Sequence, residues 1–508
     1  MKWLFLFIQF FFISNGFAID HEGKRIYLEG LNAQGQLIKS YINDLEAGAA
    51  LACANCHRES GLGTSESGKT IPPVSWSFLG VNLPVDDKSR FYSIQNKRKA
   101  YDIKSLHRLL TTGINSNGNA ADPIMPRYVI SEKETEQLVE YLKTLYANDD
   151  PGVDPDSIRI ATIIDPRLST QQKKQHLRFM QGLFDMKNSL TRGELKRKKY
   201  SPIQKVPQYE SYRHWELVSW ELTGSPDSWE QELTQLYLDK PVFVVLSPLI
   251  QDSYSEVGAF CDEMEVPCLF AHGSGRSQGD YFNFVFRDSV KQQKDFLANK
   301  MRKEKNKLLY FDNEGQLQQL QSSQLEFLKA KKTSFNLMQK QFNEVCGKDS
   351  TIITKADIKF AQQLRKLKCP IDQKIKVLML MSDAVNFQEI SQFFQKNSNP
   401  NLCWVTDYGK MLKRNTRKIR VDVLTKKFGM ENTNSESLLM NLYAYSLLTD
   451  SLHQLAGHFS RAYLLEIIEH MLNSFPNYTY FNSVSGAPKQ RAIVGPVSEY
   501  CPKGDNSI

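Results

Sequence analysis

Five consecutive residues, Cys53-Ala54-Asn55-Cys56-His57, constrain this chain more than any other feature. Two thiols separated by two residues, with an imidazole directly after the second, form the C-x-x-C-H pattern that attaches haem covalently. The chemistry sets the spacing: each sulfur bonds one vinyl group of a single porphyrin, and the adjacent histidine places its ring under the iron. A thioredoxin-like dithiol and half of a zinc site use similar spacing. The first needs a strand before the motif and a helix after it. The second needs another Cys/His pair at finger spacing, and none is near. The motif therefore predicts one covalent haem c with His57 as its proximal axial ligand.

A six-coordinate haem needs a second axial ligand, and a thioether raises the potential of the iron. Met125 lies in the proline-flanked loop Asp122-Pro123-Ile124-Met125-Pro126-Arg127-Tyr128 and is the candidate by position. His107, in the helical stretch Ile103–Leu110, is the rival. Ser131 and Glu134 form a capping box that opens a helix through about Leu145, with Leu138, Tyr141, Leu142 and Leu145 as its apolar stripe. Before the motif, Gly23, Ile26 and Tyr27 belong to a short opening helix. Gly23 allows a second helix to approach closely, and Tyr27, one turn later, offers a flat surface for packing.

The first residues, MKWLFLFIQFFFISNGFA, read as a secretory signal peptide: Lys2, an apolar run from Trp3 to Ile13, then the small-residue site Gly16-Phe17-Ala18. The run falls well short of the roughly 20 helical residues a membrane span needs. The mature chain is expected to start near Ile19, outside the cytoplasm, with no membrane span. Export changes the reading of the remaining cysteines, Cys261, Cys268, Cys346, Cys369, Cys403 and Cys501. Disulfides and buried thiols both fit them, and Cys261 and Cys268 are close enough along the chain for a local bridge.

The stretch from about His21 to Ala147 resembles the class I cytochrome c family through CANCH, the later MPRY and the closing run LVEYLKTL. The resemblance implies an all-α domain in which Cys53 and Cys56 hold the thioether bonds, His57 is proximal and Met125 distal. Gly23 and Tyr27 would cross the closing helix near Leu138 and Tyr141. Gly61 and Gly63 match a glycine-containing turn after the haem histidine, and the carbonyl of Pro72 or Pro73 would accept from His57 Nδ1. The insert between Pro73 and Pro123 departs from the family in being longer and more basic.

With 508 residues, the chain predicts about three compact units at roughly 150 residues each. Its 41% hydrophobic content excludes a disordered protein, and a mean hydropathy of −0.43 excludes a polytopic membrane protein. A net charge of +8, interspersed with acids, excludes a dedicated nucleic-acid binder. The basic stretch Arg192–Lys205 reads as a solvated face or as a dock for an acidic redox partner. The acidic, Pro/Gly-bearing run at 148–156 reads as a linker between a cytochrome segment, 19–147, and a larger module, 157–508.

In that module strand-like runs, Ile158–Ile164, Trp215–Trp220, Val242–Leu246, Cys268–Ala271, Tyr281–Phe286, Lys307–Phe311, Lys376–Met381 and Leu402–Val405, alternate with helical stretches. The helical ones are Gln171–Met186, Asp227–Leu238, Tyr254–Met264, Ser289–Lys303, Gln316–Lys331 and Lys355–Leu367. Such alternation implies parallel sheets, here in two α/β lobes. Amphipathic helices over Ser435–Leu455 and Arg461–Asn473 close the module.

This layout resembles the type I periplasmic substrate-binding proteins of the branched-chain amino-acid group, on IRIATIIDP, PVFVVLSPLI, VPCLFAH, AYSLLTDSLHQLAG and FSRAYLLEIIEHM. The resemblance implies a two-lobed fold with a small-molecule ligand in the cleft. Ligands of α/β lobes meet the carboxyl ends of strands, which singles out Ser247, Ser253, His272, Ser274, Ser382 and Asp383. Together the two resemblances imply a periplasmic electron carrier rather than an enzyme. Its redox partner would be a dehydrogenase or an oxidase. A solute-binding protein with a haem redox sensor, and the haem subunit of a dehydrogenase, are the other two readings.

Overall fold

A computed structural model describes residues 21–42, 45–47, 51–66, 69–82, 98–200, 213–250, 254–272, 281–285, 299, 308–311, 317–319, 351–355, 376–380, 402–406, 415–430, 435–455, 459–473, 479–481, 491–494 and 498–500. The expected signal peptide, Cys346, Cys369 and Cys501 lie outside them. So do most of the helical stretches expected at Ser289–Lys303 and Lys355–Leu367. The chain divides into two compact units, Met1–Asp149 with Ala456–Tyr463, and Asp150–Leu455 with Leu464–Ile508.

The described helices of the first unit are α1 (His21–Glu29), α2 (Ala54–His57), α3 (Trp76–Leu79), α4 (Ile103–Thr112) and α5 (Glu132–Thr144). Local sequence sets their ends. The α5 capping box forms as expected: Ser131 Oγ accepts from Glu134 N at 3.2 Å, and the Glu134 carboxylate accepts from Ser131 N at 2.8 Å. Asp102 and Ser105 cap α4 in the same way, and Gly113, in a left-handed conformation, ends it. Helix α1 packs on α5 because Gly23 has no side chain. A Cβ there would lie 2.1 Å from the Gln137 carbonyl oxygen and 2.9 Å from Tyr141 Cβ. Tyr27 is buried, with its ring 5.5 Å from that of Tyr141. Ile26, Leu106, Leu110, Leu138, Val139 and Leu142 fill the core between α1, α4 and α5.

The all-α expectation needs correction, because short strands hold the loops of this unit. Strands β1 (Ser40–Ile42) and β2 (Leu45–Glu46) form a hairpin, as do β3 (Thr64–Glu66) and β4 (Lys69–Ile71). Strand β5 (Arg127–Tyr128) pairs antiparallel with β1. Segments of two or three residues carry too little alternation to read as strands; their backbone groups pair because the helices bring them together.

In the second unit, β6 (Ser157–Ile164), α6 (Thr170–Tyr200), β7 (His214–Glu221), α7 (Trp229–Asp239), β8 (Val244–Leu246), α8 (Ser255–Glu263), β9 (Cys268–Ala271) and β10 (Asn283–Val285) alternate as expected. They are followed by β11 (Leu308–Phe311), β12 (Leu317–Gln319), β13 (Thr351–Lys355), β14 (Lys376–Leu380) and β15 (Leu402–Thr406). The chain continues through α9 (Asn415–Lys427), α10 (Ser435–Leu452), α11 (Arg461–Asn473), β16 (Thr479–Phe481), β17 (Arg491–Val494) and β18 (Ser498–Tyr500). The two sheets have the orders β16-β17-β10-β9-β8-β6-β7 and β12-β11-β13-β14-β15-β18. Each is parallel at its centre, and β16, β12 and β18 are antiparallel edges. The chain thus builds most of one sheet, then most of the other, and returns to both. Ile158, Ile160, Ala161, Ile163 and Ile164 of β6 are fully buried, as a parallel strand covered on both faces requires.

Two readings change here. Leu317–Gln319, inside the expected helix Gln316–Lys331, is a strand antiparallel to β11, because a free sheet edge overrides the helical preference of a Leu/Gln-rich run. Lys355 ends strand β13 rather than opening a helix. The acidic run expected as a linker is also not loose from Asp150 onward. Arg159 N donates to the Gly152 carbonyl at 2.8 Å, and the Arg159 guanidinium pairs with Asp154. Among the described residues no helix is long and apolar enough to cross a membrane.

Candidate haem site

The attachment motif folds as a single helical turn. His57 N donates to the Cys53 carbonyl at 2.9 Å and Cys56 N to the same oxygen at 3.2 Å, which closes the turn carrying both thiols. Both cysteines are free, Cys53 half-buried and Cys56 exposed. Burial pushes the Cys53 thiol up to about 12, and the neighbouring Cys56 adds to the rise, against a backbone hydrogen bond that lowers it.

Beyond the turn the backbone reverses sharply. Arg58 takes a positive φ of 65° with an extended ψ, and its carbonyl accepts from Tyr27 Oη at 2.6 Å, so α1 also clamps the exit from the motif. Gly63 N donates to the His57 carbonyl at 2.9 Å. A Cβ on Gly63 would sit 2.1 Å from the Ile71 oxygen and 2.8 Å from the Pro72 oxygen, so only glycine lets the β3–β4 hairpin close under the histidine. The hairpin thereby delivers the Pro72 carbonyl to His57 Nδ1 at 2.8 Å. Of the two prolines singled out by sequence, Pro72 is the acceptor.

That hydrogen bond places the proton on Nδ1 and leaves Nε2 as the ring's ligating atom. Burial pulls His57 below the usual imidazole range, opposed by the Pro72 carbonyl, and this favours the neutral ring that a metal requires. Two free thiols on one turn and an oriented, neutral imidazole fit a covalently bound haem. Cys53, Cys56 and His57 are the residues that would hold it.

Met125 is half-buried and packs against the same core cluster as Cys53. Its loop turns on Asp122, whose carbonyl accepts from Met125 N at 3.0 Å and whose carboxylate accepts from Ile124 N at 3.0 Å. The rival, His107, has its Nδ1 3.0 Å from Thr135 Oγ1, tying α4 to α5. Tyr128 was not singled out by sequence. Its hydroxyl donates to the Leu51 carbonyl at 2.9 Å. Burial raises its phenol above the usual range, with Cys53 and Cys56 adding to the rise.

Of the residues singled out in the second unit, Ser253, Ser274, Ser382 and Asp383 lie outside the described residues. Ser247 and His272 do follow the carboxyl ends of β8 and β9, and both are fully buried. Here a second polar centre appears. His272 Nε2 donates to Asn441 Oδ1 at 2.7 Å, and Asn441 Nδ2 donates to His176 Nδ1 at 3.0 Å. His176 Nε2 then donates to Thr162 Oγ1 at 3.0 Å, whose hydroxyl donates to the Ser247 carbonyl at 3.2 Å. Burial and then the neighbouring His272 lower the pKa of His176 to about 3, which favours its neutral ring. His176 and Asn441 escaped the sequence reading, since a lone histidine on α6 and an asparagine in an apolar stripe carry no local signal. Ser247 Oγ has no hydrogen-bond partner among the described residues. Cys261 and Cys268 form a disulfide between α8 and β9.

No curated protein matches this chain. Among solved structures it is similar to a leucine-binding protein from Thermotoga maritima, with 15% identity over 68% of this chain and 96% of that one, at a TM-score of 0.41. It is also similar to the branched-chain amino-acid transporter substrate-binding protein of Streptococcus pneumoniae, with 13% identity, 68% and 100% coverage and a TM-score of 0.41. An ABC transporter substrate-binding protein from Desulfitobacterium hafniense gives 11% identity, 69% and 99% coverage and a TM-score of 0.41. Residues 45–146, which contain the attachment turn, Pro72 and Met125, match the family model of cytochrome c.

Proposed function

We propose that the protein is an exported c-type cytochrome that carries electrons one at a time through a single haem in its first unit. The observation that carries this reading is the attachment turn itself: two free thiols and a histidine whose Nδ1 is fixed by Pro72. When bound, a haem c supplies reversible one-electron chemistry at iron. Cys53 and Cys56 would hold the group, with His57 offering a neutral nitrogen and Met125 a thioether sulfur to its iron. The buried core around Leu106, Leu138 and Leu142 keeps water away, which suits electron transfer rather than turnover of a substrate. The signal-like first 18 residues and the Cys261–Cys268 bridge support an oxidising, periplasmic compartment. The redox partner is a periplasmic dehydrogenase or oxidase.

An equilibrium redox titration of the holoprotein tests this. One n = 1 wave is expected, with a low-spin spectrum in both states. In Met125→Ala the sulfur-to-iron charge-transfer band should vanish, and the midpoint potential should fall by a visible fraction of the roughly 0.8 V that axial ligands command. A two-electron wave, or a wild-type ferric haem that is high-spin, contradicts the reading.

The topology of the second unit favours a companion role. Two parallel-centred sheets share one chain that crosses between them, as in a solute-binding module. In this second reading the haem reports redox state to a small-molecule site. Linkage then requires a bound solute to shift the midpoint potential, and oxidation to shift solute affinity by the same factor. No shift with any bound solute removes the sensor and leaves the carrier.

A further inference from the structure

The segment that carries Met125 has little to hold it in place. Strand β5 is two residues long, with Ser40↔Tyr128 and Tyr41↔Arg127 as its pairings. Ile124 and Val129, on either side of the loop, are 56% and 62% exposed. A segment with so few buried apolar contacts opens readily unless side chains anchor it. Two do. The Arg127 guanidinium donates to the Met125 carbonyl and lies across Gly113, where a Cβ would meet Arg127 Nε at 2.1 Å. Tyr128 reaches the other way. Its hydroxyl donates at 2.9 Å to the carbonyl of Leu51, a residue 77 positions earlier and two before Cys53, while its ring packs on the core that Cys53 and Met125 share.

We propose that Tyr128 is a positioning residue for axial ligation: its hydroxyl straps the Met125 loop to the attachment loop and so keeps the thioether sulfur from leaving the iron. The proposal rests on Met125 being the distal ligand. Arg127 fixes the shape of the loop, and Tyr128 fixes where that loop sits relative to the thiols. One lost hydrogen bond should release the sulfur about tenfold more often.

Cyanide reports that release, since it binds ferric iron only after the sulfur departs. In the full-length ferric holoprotein, binding is expected to saturate with cyanide at the rate of sulfur departure. Tyr128→Phe keeps the ring and removes the hydroxyl. It should raise that limiting rate about tenfold, with the haem still covalently attached and the resting charge-transfer band retained. An unchanged limiting rate overturns the proposal. Should Y128F take up no haem, the comparison moves to 4-aminophenylalanine and 4-methoxyphenylalanine at position 128. A wild-type rate with the first, which still donates, and a faster rate with the second uphold the strap; equal rates overturn it. A wild-type ferric protein without the sulfur band, or without a saturating limit, contradicts Met125 ligation itself, before any Tyr128 variant is compared.

Discussion

In the first unit the decisive groups are neighbours along the chain: Cys53, Cys56 and His57 share one helical turn, and Pro72, which orients the histidine, is 15 positions from it. In the second, His272 and His176 meet Asn441 across 169 and 265 positions. The two centres also differ in what they leave available. The attachment turn presents free thiols and a ring nitrogen suited to a metal, whereas in the second centre His272 Nε2, Asn441 and both nitrogens of His176 bond to one another and to Thr162. Among the described residues, the first unit gathers its groups within one turn of chain, whereas the polar centre of the second ties together β6, α6, β9 and α10. A buried network of this kind specifies one arrangement when every member is bonded, and becomes costly when one is removed.

Separating the two centres by mutation breaks or sharpens that contrast. Replacing both Cys53 and Cys56 by Ala should abolish covalent haem completely while leaving the Cys261–Cys268 bridge intact, as mass spectrometry under non-reducing conditions would show. Gly23→Ala drives a methyl group into the Gln137 carbonyl, and should cost the first unit about 3 kcal/mol. Its unfolding, followed at the haem Soret band, should move while that of the second unit does not. Asn441→Leu strands two buried histidine nitrogens and should cost the second unit about 2 kcal/mol in urea unfolding, with the haem midpoint potential unchanged. A shift in potential would mean that the two centres communicate.

The smallest effect is a slope. His176 has an ordinary value of 6.5, and in the folded protein it falls to about 3. Between these limits the unfolded chain binds the proton and the folded chain does not, so stability is full above about 6.5 and declines as pH falls toward 3. His176→Gln should flatten that acid limb by up to one proton, about 1.4 kcal/mol per pH unit. An identical limb in the variant would show that His176 is not the group being titrated.

What could be read from the sequence follows the same division. The attachment turn, the Ser131 capping box and the Gly23–Tyr27 packing depend on residues whose types determine local geometry, whereas a proline acceptor for His57, left open between Pro72 and Pro73, came from the family resemblance; all stand in the structure, with Pro72 as the acceptor. The alternation from β6 to β10 was equally legible, because hydrophobic runs bounded by helices imply a parallel sheet. Strand β12 was not, since Leu317–Gln319 looks helical until β11 offers it an edge. The β1–β5 ladder and the Tyr128–Leu51 bond depend on which loops the helices bring together. Ser247 and His272 were placed correctly at strand ends, but burial beneath Asn441 is a tertiary fact with no trace in either neighbourhood.

The most direct test of the account is acid-acetone extraction of the purified holoprotein, followed by intact-mass measurement. Pigment that stays with the polypeptide, and a mass increased by one haem with no free thiol at Cys53 or Cys56, is the predicted result. Pigment that passes into the organic phase, or a polypeptide at its unmodified mass with both thiols open to alkylation, would contradict it.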